Sequence, residues 1–167
     1  RFDPEKAKWF NHQYLVKKDN AELANQFIKI LSEKGVKAEF SKVERIVALM
    51  KERVNFVHEL WDQTSFFFQK PTSYDEASVK KFWKEDTSAI MKETIVVISN
   101  INKFETHEVE ETLKAFITEK EYGMGKVMNA LRISLVGTNK GPGVAEICEL
   151  IGKEDTIDRI NRAISTI

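Results

Sequence analysis

His12, His58 and His107 stand far apart in a chain of 167 residues, and none has a second ligand at the spacing of a zinc site. His58 falls inside a helical pattern and reads as a structural or surface residue. Cys148 sits in an apolar stretch with Ile147 and Leu150, where a cysteine reads as a small buried hydrophobe rather than a nucleophile. The run Gly137-Thr138-Asn139-Lys140-Gly141-Pro142-Gly143 has the glycine density of a phosphate loop. It lacks a closing Gly-Lys-Ser/Thr and a strand leading into it, so it fails the nucleotide-binding pattern. The carboxylates spread along solvated helix faces, and no pair poised for acid–base work stands out. No catalytic residue and no metal ligand is expected.

The basic residues near helix ends and loops are more informative: Arg53, Lys126, Arg132, Lys140, Lys153, Arg159 and Arg162. Each by itself reads first as a solvated charge. Arg132 differs because Ala130, Leu131 and Ile133 surround it with small or apolar side chains, just before the glycine- and proline-rich loop. A guanidinium in that setting is either paired internally or aimed at something planar. Arginine forms bidentate bonds to base edges and phosphates and stacks on bases.

The elements that must carry these residues are helical. Gly and Pro are scarce and fall between helical patterns. Asp3-Pro4 predicts an N-cap and first-turn proline. Asp19 with Glu22 predicts a capping box, followed by a stripe through Leu23, Phe27, Ile30 and Leu31 that ends at Gly35. Ser41 with Glu44 predicts a second box opening the longest helix, whose apolar period runs through Val43, Ile46, Val47, Met50, Val54, Val57 and Trp61 and which carries Arg53. Thr64 to Pro71 contains three consecutive phenylalanines and reads as a buried, partly extended junction. Helices are expected beyond it near 75–83, 87–101 and 106–122. The run Ile95 to Ile98 has strand propensity but no partner strand, so it too is expected to be helical. Gly123 and Gly125 bracket the start of an amphipathic helix over 126–136. The loop 137–143 follows, then helices near 144–151 and 155–165.

Bulk composition fits a folded domain: 42% of residues are hydrophobic and 31% charged. Lys plus Arg and Asp plus Glu both number 26, giving zero formal charge. That disfavours bulk, sequence-blind nucleic-acid binding but leaves room for a local basic patch. With Cys148 as the only cysteine, no intramolecular disulfide forms, and a reducing, cytoplasmic compartment is expected. No apolar run is long enough to span a bilayer, so no membrane partner is expected, and the opening residues do not resemble a signal peptide.

Met128-Asn129-Ala130-Leu131-Arg132, then Gly137, Gly141-Pro142-Gly143, Glu146-Ile147 and Leu150-Ile151-Gly152-Lys153-Glu154 resemble the C-terminal signature of bacterial glutamyl-tRNA synthetases. Phe2-Asp3 with Trp9-Phe10-Asn11 and Gln13-Tyr14-Leu15 resembles the segment after the second class I active-site motif. Met50-Lys51-Glu52-Arg53-Val54, Leu60-Trp61 and Phe66-Phe67-Phe68 fit the middle. The last third is the most specific, because bacterial glutaminyl enzymes have a β-barrel there.

The resemblance implies an all-α chain of two helical subdomains with the class I glutamyl-tRNA synthetase C-terminal anticodon-binding fold. Residues 1–65 would form a stem-contact subdomain and 66–167 an anticodon-binding subdomain. The partner would be glutamate tRNA, tRNA(Glu), bound by a monomer. ATP with Mg belongs to the family's catalytic half, so this chain would carry no cofactor and would not activate glutamate. It would be a piece of a glutamate–tRNA ligase. By position, Arg53 resembles the arginine that reads the last anticodon base, and Arg132 a second arginine at the anticodon. Pro142, with Thr138, Lys140, Gly141 and Gly143, matches a loop that packs on the first anticodon base. Val144 stands where the family usually has leucine. On composition alone, a helical protein-interaction or scaffold module with no RNA role remains the competing reading.

Overall fold

The structure, a computed structural model, describes residues 3–167, so Arg1, and Phe2 of the Phe2-Asp3 match, lie outside the described residues. The described chain folds as ten α-helices and two single-turn 3-10 segments, with no strand among the described residues. The helices are α1 (Pro4–Lys17), α2 (Asn20–Glu33), α3 (Phe40–Met50), α4 (Glu59–Thr64), α5 (Glu76–Phe82), α6 (Thr87–Ser99), α7 (Thr106–Glu119), α8 (Met124–Val136), α9 (Val144–Ile151) and α10 (Lys153–Thr166). No helix among the described residues is long and apolar enough to cross a membrane.

Two compact units divide between Phe68 and Gln69 rather than at 65/66. The aromatic run explains the shift, because it packs back onto the first unit. Phe67 is buried, and the Phe68 ring meets Phe27 edge-on at 6.2 Å and stacks with Trp61 at 6.5 Å. Where a partly extended junction is expected, the aromatic part of the run turns: Ser65–Phe67 forms a 3-10 turn.

In the first unit, Asp3 caps α1 as its sequence predicts, with Oδ1 accepting from the N–H groups of Glu5 (3.1 Å) and Lys6 (3.4 Å). The two expected capping boxes do not form. Asp19 and Glu39 precede α2 and α3 without a side-chain cap bond, and Ser41 lies inside the first turn of α3. The apolar stripes of α2 and α3 pack on one another, burying Leu23, Phe27 and Leu31 with Val43, Ile46 and Val47. Full burial of side chains of this size is worth about 1.5–3 kcal/mol each and fixes the pair.

The long helix expected from Ser41 to Trp61 is three pieces. It stops at Met50, passes through a 3-10 turn at Lys51–Arg53, and becomes extended at Val54 (φ −127°, ψ 156°) before α4. Val54 is buried, and its carbonyl lies 2.9 Å from His12 Nδ1 on α1, a tertiary partner in place of a helical one. The Asn55 N–H donates to Glu59 Oε2 at 2.9 Å, which ties off the start of the next turn. Valine and asparagine are indifferent helix formers, so these contacts override a period that continues unbroken in the sequence.

In the second unit, α10 packs against α6 and α8, α7 against α9, and α5 against α8. The run Ile95 to Ile98 lies within α6, as expected. Asp75 caps α5 through its side chain, accepting from the Ser78 N–H at 3.0 Å. Gly152 alone joins α9 to α10, at φ +90° and ψ 161°. That conformation is essentially restricted to glycine, and it permits the abrupt change of helix direction.

Candidate nucleic-acid interface

Loop 137–143 connects the C-terminus of α8 to the N-terminus of α9, and it is held from three directions. At its start, Gly137 ends α8 in the left-handed conformation (φ +86°). A Cβ there would lie 2.8 Å from the Ser73 carbonyl oxygen and 3.2 Å from Pro71 Cβ. Only glycine therefore lets the segment before α5 lie against the loop, where the Asp75 N–H donates to the Gly137 carbonyl at 2.8 Å. Next, Asn139 meets buried Ser78 of α5: its Oδ1 lies 2.9 Å, and its backbone N 3.4 Å, from Ser78 Oγ. At the far end, Arg132 Nη2 donates to the Pro142 carbonyl at 3.2 Å.

This arrangement decides what the loop can present. Pro142 and Val144 are buried, Thr138 and Gly141 are half-buried, and Lys140 and Gly143 are exposed. A contact from the Pro142 ring or the Val144 side chain to a ligand would require the loop to open. The Lys140 side chain and the backbone of the loop crown are accessible as it stands. The Lys140 ammonium also helps hold the Asp75 carboxyl below the usual carboxylate range, after the larger effects of the bonds from Ser78.

Arg132 is half-buried. It is paired internally to Pro142, yet a guanidinium carries five N–H donors and can serve a second acceptor. In the first unit, Arg53 lies on the 3-10 turn rather than on a long helix. It is exposed and makes no ion pair among the described residues.

Several of the other basic residues are committed to the fold. Lys126 pairs with Asp86 at 2.6 Å and holds that carboxyl below its usual range. Lys153 donates to the Ile101 carbonyl and to that of Ser99 (3.4 Å), closing the end of α6. Arg159, which the sequence places among solvated tail charges, is buried, with 1% of its surface exposed. It pairs with Asp155 through Nε (3.2 Å) and Nη2 (3.1 Å) and donates from Nη1 to the Leu135 carbonyl at 2.8 Å. Its spacing of four residues from Asp155 was the available signal. Asp75, Ser78 and Asn139 gave no comparable signal, because Ser78 and Asn139 are 61 residues apart.

Cys148 is buried as expected. Desolvation pushes its thiol up to about 12, which leaves it protonated and unreactive. No group of three or more His, Cys, Asp or Glu residues able to hold a metal occurs among the described residues.

A helical scaffold that displays a braced, glycine-rich loop beside an arginine suits recognition of unstacked bases. Comparison with known proteins agrees. The family model described as anticodon binding domain matches residues 19–164, and the chain belongs to that family. The chain is similar to glutamate–tRNA ligases. The chain is 53% identical over all 167 residues to a glutamate–tRNA ligase of Flavobacterium johnsoniae and 48% identical to one of Porphyromonas gingivalis. It spans 33% of the length of each of these relatives. A crystal structure of a glutamate tRNA ligase from Elizabethkingia meningosepticum in complex with its amino acid superposes with a TM-score of 0.96 at 44% identity. That match covers 99% of this chain and 33% of the other. Glutamate-tRNA synthetase from Elizabethkingia anophelis gives 0.91 at 43%, over 99% and 32%.

Proposed function

We propose that this chain is the anticodon-reading part of a glutamate–tRNA ligase, and that it binds the anticodon arm of glutamate tRNA as a monomer in the cytosol. The observation that carries the reading is the loop between α8 and α9, fastened by Gly137, Ser78 and Arg132 with Lys140 exposed at its crown. Backbone groups held in this way can read the Watson–Crick edge of a splayed base, and Lys140 can neutralise a phosphate. Arg132 serves the same loop, and Arg53 of the first unit contacts a base by itself. Thr138, Gly141 and Gly143 contribute backbone or short polar contacts. Pro142 and Val144, being buried, shape the loop and touch a base only after it opens.

The similarity to the ligases supports the choice of tRNA. ATP, with Mg, acts in the two thirds of the relatives' length that this chain does not span, so the chain alone binds no cofactor and activates no glutamate. The test is filter binding of the chain to glutamate tRNA and to the same tRNA with altered anticodon bases at fixed salt. Preference for the unaltered anticodon supports the reading; equal affinity for both, or no affinity, refutes it.

A further inference from the structure

We propose that Ser78 is a positioning residue for anticodon reading, because its hydroxyl receives hydrogen bonds from Asn139 and so fixes the shape of loop 137–143. The proposal rests on the anticodon-reading role given above. It names a residue outside the loop, on a different helix, as a determinant of specificity.

One proton, on Ser78 Oγ, decides which way these bonds run. Ser78 is 4% exposed, and its Oγ lies 2.6 Å from Asp75 Oδ2 and 2.9 Å from Asn139 Oδ1. A serine hydroxyl donates once and accepts twice, whereas an ionised carboxylate only accepts. The nearer, charged Asp75 therefore takes the proton. An Asn139 oxygen at 2.9 Å would then face the hydroxyl acceptor to acceptor. A half-turn of the carboxamide, sterically nearly neutral, puts Nδ2–H in the same place as a donor.

Ser78 Oγ is then saturated. It donates to Asp75 and accepts from the Asn139 side-chain amide and from the Asn139 backbone N–H at 3.4 Å. Its own backbone N–H also donates to Asp75 Oδ2 at 3.0 Å, so serine and aspartate form one rigid unit at the start of α5. The Asp75 N–H binds the Gly137 carbonyl at 2.8 Å, which secures the loop's first residue to the same unit. Arg132 fastens the far end at Pro142. Between the attachments at Asn139 and Pro142 lie only exposed Lys140 and half-buried Gly141, which form the crown of the loop. Groups that read a base edge must hold their geometry closely, and residues locked behind them supply that rigidity.

The proton assignment makes an isosteric substitution decisive. Asn139→Asp keeps the size of the side chain but removes its donor to Ser78 and brings a second carboxylate to the hydroxyl that already binds Asp75. The measurement is the affinity of the 167-residue chain for an RNA hairpin carrying the glutamate anticodon arm, compared with the same hairpin altered at the first anticodon base. Asn139→Asp and Ser78→Ala should each reduce the ratio of the two affinities about tenfold, while Ser78→Thr, which retains the hydroxyl, should preserve it. Variants that remain helical by circular dichroism and keep the wild-type ratio overturn the proposal. So does an equal loss on both hairpins, which would mark a purely structural role. A wild-type chain with no preference between the hairpins refutes the anticodon reading itself and the positioning role with it.

Discussion

Arg132 Nη2 and the Pro142 carbonyl oxygen stand 3.2 Å apart, so the arginine on α8 is joined to the loop that follows its own helix. Arg132 is thereby part of the loop's support. Arg53, exposed on its 3-10 turn, has no such duty.

The two arginines should accordingly behave differently when truncated. Arg53→Ala is expected to weaken binding of glutamate tRNA by about 1–3 kcal/mol with little change in melting temperature. Arg132→Ala is expected to weaken binding to a similar degree and also to lower the melting temperature, because it releases Pro142. Filter binding and thermal melting on the same preparations check both. A melting temperature unchanged in Arg132→Ala would contradict the bracing role.

Gly137→Ala combines a left-handed backbone with a 2.8 Å approach to the Ser73 carbonyl, and backbone cannot retreat as a side-chain tip can. A loss of about 2–4 kcal/mol is expected by chemical denaturation. Stability near that of the wild type would show that the 71–75 segment does not lie against the loop.

Arg159→Met removes a buried cation whose partners are Asp155 and the Leu135 carbonyl at the end of α8. Asp155 remains partly solvated, which moderates the penalty, so a loss of about 2–3 kcal/mol is expected. Direct tRNA contact by Arg159 would instead appear as weakened binding with unchanged stability.

Acid should destabilise the second unit. Hydrogen bonds from Ser78, Lys126 and Lys70 hold the carboxyls of Asp75, Asp86 and Asp158 below their ordinary value of 3.8. A carboxylate whose folded value is lowered contributes stability in full above its unfolded value and loses it as pH falls through the folded one. The melting temperature should therefore decline as pH drops below about 4, and Asp86→Asn should make that decline shallower. An identical acid slope in Asp86→Asn would contradict a contribution from the Lys126 pairing.

Several helices are legible in the sequence because Gly35, Pro71, Gly123 and Gly137 fall between them and Asp3 begins the first with a polar cap. The break after Met50 is not, since the apolar period continues through Val54 and Val57 while the backbone turns to meet His12. The loop is recognisable from Gly141-Pro142-Gly143, but its attachments are not. The bond between Ser78 and Asn139 joins distant parts of the chain, and no local pattern encodes it. Arg159 misled for a related reason: a buried, paired arginine and a solvated one look alike until the helix carrying them is docked.

The most direct measurement is photocrosslinking from glutamate tRNA with a photoreactive base at the first anticodon position, followed by mapping of the modified peptide. An adduct within residues 138–144 is expected, abolished by competition with unmodified glutamate tRNA. Binding without an adduct there, or adducts confined to other segments, would contradict the claim that this loop reads the anticodon.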